Sequence, residues 1–255
     1  MQIDELLEKY RDREVYLLLP GGNKGDGLIY MGGITLLKKH AVLFREIHYP
    51  QQARGKTLLV LGSGGFCLPY HRMPEKIIFY MSEFEEIIIL PSSFDLSYVG
   101  VKNFIKNLPE KVTVFCREKY SYAQVLSSIA DENNLFLDHD LALSFNYDAW
   151  KRPGNGRLDA FRLDEESIYP GRIPKNNHDV SRNKEGKWEP FQEQKWEELL
   201  QDISIYEQIH TDRAHVSIAG AMLGKQTFVY ANNYHKLKGI YEYSLSNLPN
   251  VKWAG

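Results

Sequence analysis

Cysteine is nearly absent from this 255-residue chain, which has only Cys67 and Cys116. Two thiols make neither a disulfide framework nor a zinc pattern. Both lie in apolar runs, which predicts buried free thiols in a reducing compartment. No apolar run approaches the ~18 residues of a membrane span. Met1–Tyr10 carries Asp4, Glu5 and Glu8 and has no apolar core, so it does not read as a secretory signal. The chain is therefore expected in the cytoplasm, where peripheral contact with the inner face of the membrane needs no spanning segment. A surplus of one charge is also missing: 31 basic residues face 33 acidic ones, for a net charge of −2. That argues against a nucleic-acid binder that depends on bulk positive charge. No cluster of His, Cys and carboxylates has metal-ligand spacing, so neither a metal nor a bound cofactor is expected. A divalent ion bridging substrate phosphates would need no such cluster. Internal repeats and low-complexity stretches are lacking too.

What is present is ordinary globular usage, 43% hydrophobic and 25% charged, which excludes a disordered chain. The length allows one large domain or two of ordinary size. Short continuous apolar runs alternate with helical patterns. Strands are predicted at Val15–Leu19, Thr57–Leu61, Glu86–Leu90 and Val112–Cys116, and Leu135–Leu137 follows them. Helices are predicted over Leu28–His40, Tyr98–Asn107 and Ser121–Asp131, the last from the capping-box spacing of Ser121 and Gln124. Such alternation predicts an α/β fold with parallel sheets flanked by helices. Ligands then bind beyond the carboxyl ends of the strands, where each distinctive loop lies.

The turn-rich stretch Lys151–Gly156 interrupts this pattern. It divides the chain into an expected N-terminal Rossmann-like domain, 1–147, and a smaller C-terminal one, 148–255. In the second half Ala160–Leu163 is predicted to open a sheet, with further strands at Gln208–Asp212 and Thr227–Tyr230. Helices are predicted over Trp196–Tyr206, Arg213–Leu223 and Asn233–Tyr243. The polar stretch Tyr169–Pro190 exceeds an ordinary connection and reads as a mobile loop.

Three places carry candidate chemistry. Gly21–Gly27 (GGNKGDG) joins a strand to a helix, where free N–H groups and a positive helix end bind anions. It is not a Walker loop, because Leu28 stands where a lysine belongs. Gly62-Ser63-Gly64-Gly65 half-matches a nucleotide fingerprint and marks close approach of a ligand to the backbone. Arg117, just beyond a strand, can hold a carboxylate or phosphate through two parallel hydrogen bonds, or pair with Glu118 at the surface. The sharpest signal is Thr211-Asp212-Arg213-Ala214-His215. Asp212 is placed to cap a helix, with Arg213 and His215 in its first turn. A histidine there has its cationic form disfavoured and suits a base.

In this order, GGNKGDGLI, LGSGG, IIILPSSF, VFCREKYSY and TDRAHVSIAGAMLGKQTFVYANNYHKLKGIYEY resemble the polysaccharide pyruvyl transferase family. The last segment is the most specific. The resemblance implies two Rossmann-like halves facing a central cleft, the GT-B-like arrangement. It implies phosphoenolpyruvate as donor and co-substrate, and a sugar of a surface polysaccharide precursor as acceptor. A galactose-type residue ketalised at its 4- and 6-hydroxyls, lipid-linked or not, fits that class. The resemblance aligns Arg117 and His215 with donor positions and Lys236 with a recurrent lysine. The donor's two anions suggest Arg213 and Ser121 beside them, with His215 for proton transfer and Asp26 as a second base. Asn23, Lys24, Ser63, Gly64 and Asn233 would form the acceptor side or the cleft rim. Two other readings share such a fold: a sugar-nucleotide-dependent glycosyltransferase and a non-catalytic saccharide-binding protein.

Overall fold

The computed structural model describes residues 1–67, 72–168, 173–182 and 195–255. Of the polar stretch Tyr169–Pro190, residues 169–172 and 183–190 lie outside them. The chain divides into two compact units, one of Met1–Pro20 with Ile29–Ser144, the other of Gly21–Leu28 with Phe145–Gly255.

Unit 1 is built on a parallel six-stranded sheet in the order β2-β1-β3-β4-β5-β6. Its strands are β1 (Glu14–Leu19), β2 (Leu43–His48), β3 (Gly55–Val60), β4 (Phe84–Ser92), β5 (Val112–Cys116) and β6 (Leu135–Leu137). Its helices are α1 (Ile3–Glu8), most of α2 (Lys24–Lys39), α3 (Met73–Tyr80), α4 (Val99–Lys106) and α5 (Lys119–Leu126). Leu58, Val60, Ile87, Ile89, Val112 and Val114 of the central strands are buried together, with Phe66 and Phe94 stacked 4.5 Å apart. Strand order reverses between β1 and β3, so the loop that holds Gly62 lies at a topological switch point. A Cβ on Gly62 would come within 2.3 Å of the Pro91 carbonyl oxygen. Pro91 has no N–H to give a ladder, and the β4–β5 register shifts between Ile89 and Ser92. Cys67 and Cys116 are buried as expected, and burial pushes the Cys116 thiol well above its ordinary range.

The second unit carries a parallel sheet in the order β10-β9-β8-β7. It comprises β7 (Arg157–Ala160), β8 (Gln208–Thr211), β9 (Gln226–Val229) and β10 (Val251–Trp253). Around it stand α6 (Trp196–Ser204), α7 (Ala214–Met222) and α8 (His235–Ile240). The sheet opens at Arg157, not at Ala160, because Leu158, Asp159 and Ala160 pair with Ile209, His210 and Thr211. α7 lies tight on the sheet: a Cβ on Gly220 would stand 2.7 Å from Thr227 Oγ1.

Two expectations in unit 1 are corrected. α5 begins at Lys119, with Glu118 as its N-cap accepting from the Ser121 N–H, and ends at Leu126. Ser121 is therefore inside the helix, and Gln124 accepts from the Leu96 N–H. Arg117 and Glu118 do not lie at the surface. Arg117 is 1% exposed, with Nη1 2.7 Å from Asp140 Oδ2 and Nε donating to Ser93 Oγ at 2.8 Å. Removing one partner of such a pair leaves a buried charge uncompensated. Arg117→Ala should cost about 3–5 kcal/mol in urea unfolding. A loss below ~1 kcal/mol would mean that the pair does not hold the β5–α5 loop.

Candidate active site

The loop after β1 is shaped by its own side chains. Asn23 Oδ1 accepts from the Gly25 N–H at 2.8 Å, and the Asn23 N–H donates to Asp26 Oδ2 at 2.8 Å. Asn23 Oδ1 also accepts from the Asp26 N–H at 3.4 Å, which completes a capping box, so α2 begins at Lys24 and not at Leu28. The expected bare anion nest is absent, because the N–H groups of residues 23–27 all have partners: Lys24 donates to the Ser181 carbonyl, and Asp26 and Gly27 to that of Asn23. Gly22 and Gly25 are required by close approach. A Cβ on Gly22 would lie 2.1 Å from Asp26 Oδ2, and one on Gly25 2.8 Å from His215 Cβ. The loop thus rests against the start of α7, with Asp26 Oδ1 3.9 Å from His215 Nδ1. The Lys24 ammonium pairs with Glu198 of α6 at 3.0 Å.

Beyond the carboxyl ends of β7, β8 and β9 runs a chain of alternating charge. Lys236 of α8 is 3.2 Å from Glu166 Oε2. Glu166 takes both terminal nitrogens of Arg162, one at 2.7 Å. Asp164 takes Arg162 Nε at 2.6 Å and Arg213 Nη2 at 3.0 Å. Asp179 closes on Arg213 with 2.5 Å to Nη2 and 3.2 Å to Nε. Burial alone would push Glu166 up, but Lys236 and Arg162 overcome it and hold the carboxyl at about 2. Burial likewise opposes the Arg162 charge, yet Asp164 and Glu166 raise its pKa further. The Lys236 ammonium also lies 4.8 Å from the centre of the Tyr234 ring. Among the described residues this charged chain holds three cations and three carboxylates, so an incoming anion competes with carboxylates already in place.

Asp212 does not cap α7. Arg213 is the N-cap, and its N–H is held by Thr211 Oγ1 at 3.0 Å. Asp212 turns inward instead: Oδ1 accepts from the Arg162 N–H at 2.8 Å, while Oδ2 is buried with no hydrogen-bond partner among the described residues. Burial raises its pKa to about 6.

Sequence reasoning placed Arg213, His215, Lys236, Asn23, Lys24, Asp26 and Asn233 in a site, and the second unit brings them together. Asn233 is exposed and binds the 165–166 backbone. Arg117, Ser121, Ser63 and Gly64 belong to unit 1. Ser121 is fully buried, accepting from the Phe94 N–H at 2.7 Å and contacting Glu118 through its hydroxyl. Ser63 accepts from the Gly65 N–H at 3.0 Å, and its own N–H donates to Ser92. Arg162, Asp164, Glu166 and Asp179 escaped the sequence reading. Their one signal was the alternation Arg162-x-Asp164-x-Glu166 directly after a strand.

A family model described as polysaccharide pyruvyl transferase matches residues 23–234. The chain belongs to that family. A curated relative from Bacillus subtilis (strain 168), named "Putative pyruvyl transferase EpsO", is 24% identical over 288 residues, covering 95% of this chain and 87% of that protein. The fold is shared with a functionally uncharacterised Klebsiella pneumoniae protein, KP1_0663, from subsp. pneumoniae NTUH-K2044. That crystal structure matches at a TM-score of 0.80 and 24% identity, over 99% of this chain and 96% of that one. Among the described residues of this pyruvyl transferase family member, no helix is long and apolar enough to cross a membrane.

The buried Asp212 gives a pH-dependent prediction. Its carboxyl keeps a proton up to about pH 6 when folded, against an ordinary value of 3.8. The native state therefore binds the proton more tightly, and this group lowers stability as pH rises from about 4 to about 6. Asp212→Asn keeps the acceptor for Arg162 and removes the titration. From pH 4 to pH 7, urea unfolding should show the variant gaining on the parent by up to roughly 3 kcal/mol. A difference that does not change with pH would show that Asp212 is not held protonated.

Proposed function

We propose that this transferase moves the pyruvyl group of phosphoenolpyruvate onto a sugar of a surface polysaccharide precursor, as a cyclic ketal. The supporting observation is the grouping of Arg213, His215 and Lys236 within one unit, at the carboxyl ends of β8 and β9. Phosphoenolpyruvate carries a carboxylate and a phosphate, and each needs a cationic partner. Arg213, at the N-terminus of α7, and Lys236 supply two. Arg213 is the better placed, because a guanidinium receives either anion through two parallel bonds. The donor then takes over from Asp164 and Asp179, whose carboxylates mark where an anion sits.

His215 follows Arg213 by two residues and is the proton-transfer group of this reading. C3 of the enolpyruvyl group gains a proton, and C2 becomes cation-like. One sugar hydroxyl adds to C2 and gives up its proton. A second hydroxyl adds as the C2–O bond to phosphate breaks, and inorganic phosphate leaves with the electron pair. Two hydroxyl protons are released: one replaces that delivered to C3, and the other leaves with phosphate or solvent. The acceptor of this reading is a galactose-type residue with its 4- and 6-hydroxyls free, handled as a lipid-linked precursor at the inner membrane face. Arg117 and Ser121, each engaged inside unit 1, act here as supports of the β5–α5 loop and not as donor ligands.

A thermal melt with phosphoenolpyruvate beside UDP tests the donor. A ligand at ~100 times its Kd adds about 2.7 kcal/mol and raises Tm by several degrees. Stabilisation by phosphoenolpyruvate and not by UDP is expected, and the reverse would replace this reading with a glycosyltransferase. With an acceptor present, His215→Ala should lower kcat by roughly 10²–10⁴-fold. Arg213→Ala should raise the donor KM roughly 10- to 100-fold through loss of a charge-assisted pair. Phosphate release at the parent rate from His215→Ala would remove the histidine from the mechanism.

A further inference from the structure

We infer that Asp26 is a positioning residue for His215. It holds the imidazole with Nδ1 toward the loop, so that Nε2 is the nitrogen that exchanges protons with substrate. The inference rests on the reading of His215 given above, and it replaces the expectation that Asp26 is itself a second base. The two oxygens of Asp26 have different surroundings. Oδ2 is bound to the Asn23 N–H at 2.8 Å, which fixes the rotation of the carboxylate. Oδ1 faces His215 Nδ1 at 3.9 Å. That distance is longer than a hydrogen bond, as side-chain pairs of catalytic sites often are before substrate tightens them.

The capping box explains Gly22 and Asn23 but only part of Gly25, whose Cβ would stand 3.0 Å from Asn23 Oδ1. Any side chain at position 25 would meet His215, at 2.8 Å from Cβ and 3.0 Å from Nδ1. The glycine therefore lets the backbone pack against the Nδ1 side of the ring, where the next residue supplies a carboxylate. Side-chain exposure is 11% for His215 and 24% for Asp26, so solvent screens the pair only in part. A carboxylate facing Nδ1 favours the tautomer protonated there, which leaves the lone pair on Nε2. Motif and site thus meet across nearly the whole length of the chain: Gly22, Asn23 and Gly25 serve to present one carboxylate to one histidine.

The test compares the full-length protein with Asp26→Asn and Gly25→Ala. Asp26→Asn keeps an oxygen for the Asn23 N–H and removes the charge. Gly25→Ala keeps the charge and crowds both the ring and the capping oxygen of Asn23. Imidazole ¹⁵N spectra, with the His215 signals assigned by His215→Gln, report the tautomer without any substrate. The neutral ring should be mainly Nδ1–H in the parent and shift several-fold toward Nε2–H in both variants. In turnover assays Asp26→Asn should lower kcat roughly 10- to 100-fold with the donor KM held within about twofold. Unchanged tautomer ratios in whichever variants fold would overturn the inference. So would a tautomer shift accompanied by parental kcat. The spectra are independent of donor identity, so a protein that does not use phosphoenolpyruvate would sink the donor assignment while the spectra still decide the pairing.

Discussion

Burying a guanidinium costs several kcal/mol unless carboxylates meet it, and in the second unit Arg162 is met by Asp164 and Glu166. From this residue the charge pattern of the site spreads both ways, through Glu166 to Lys236 and through Asp164 to Arg213. Its backbone N–H also binds Asp212. Arg162 follows β7, Asp212 and Arg213 follow β8, and Lys236 belongs to α8 beyond β9. One buried cation therefore sets the spacing of groups delivered by three strands. The cationic side chains of the site are held by carboxylate partners before any substrate arrives, and charge placed in advance is what electrostatic catalysis requires.

Most of the strands legible in the sequence were continuous apolar runs. β5 was found to the residue, because Val112–Cys116 is a continuous apolar run. β2 was missed: among the described residues it pairs only with β1, and Leu43 is 59% exposed, so its apolar residues are few and spaced. β10 has three residues, too few for a period to show. In the site, the segment Thr211–His215 was located correctly, and Asp212 was misread. An Asp before a helix usually caps it, but here a tertiary hydrogen bond to the Arg162 N–H outweighs the local one. The alternating charges after β7 looked like a solvated loop, since nothing in a linear sequence says that Arg162 and Glu166 are buried.

The first glycine loop shows how a local reading can find a place and miss its use. Its glycines do not bare the backbone to a ligand, because the N–H groups of residues 23–27 are engaged. They admit side chains instead, Asp26 against Gly22 and His215 against Gly25. The second loop behaves similarly, with the Ser63 and Gly65 N–H groups taken by Ser92 and Ser63. In both, the absence of a Cβ serves packing inside the protein.

Cys67 and Cys116 have a practical consequence. They are the only thiols of the chain, 1% and 0% exposed, and burial keeps Cys116 from ionising. Alkylating reagents attack thiolates that they can reach, so the native protein should be nearly silent to maleimides. A single cysteine introduced on an exposed position of either unit would then be the sole labelling site, with no need to remove the natural ones. Fluorophores or spin labels placed in this way could follow each unit separately during turnover.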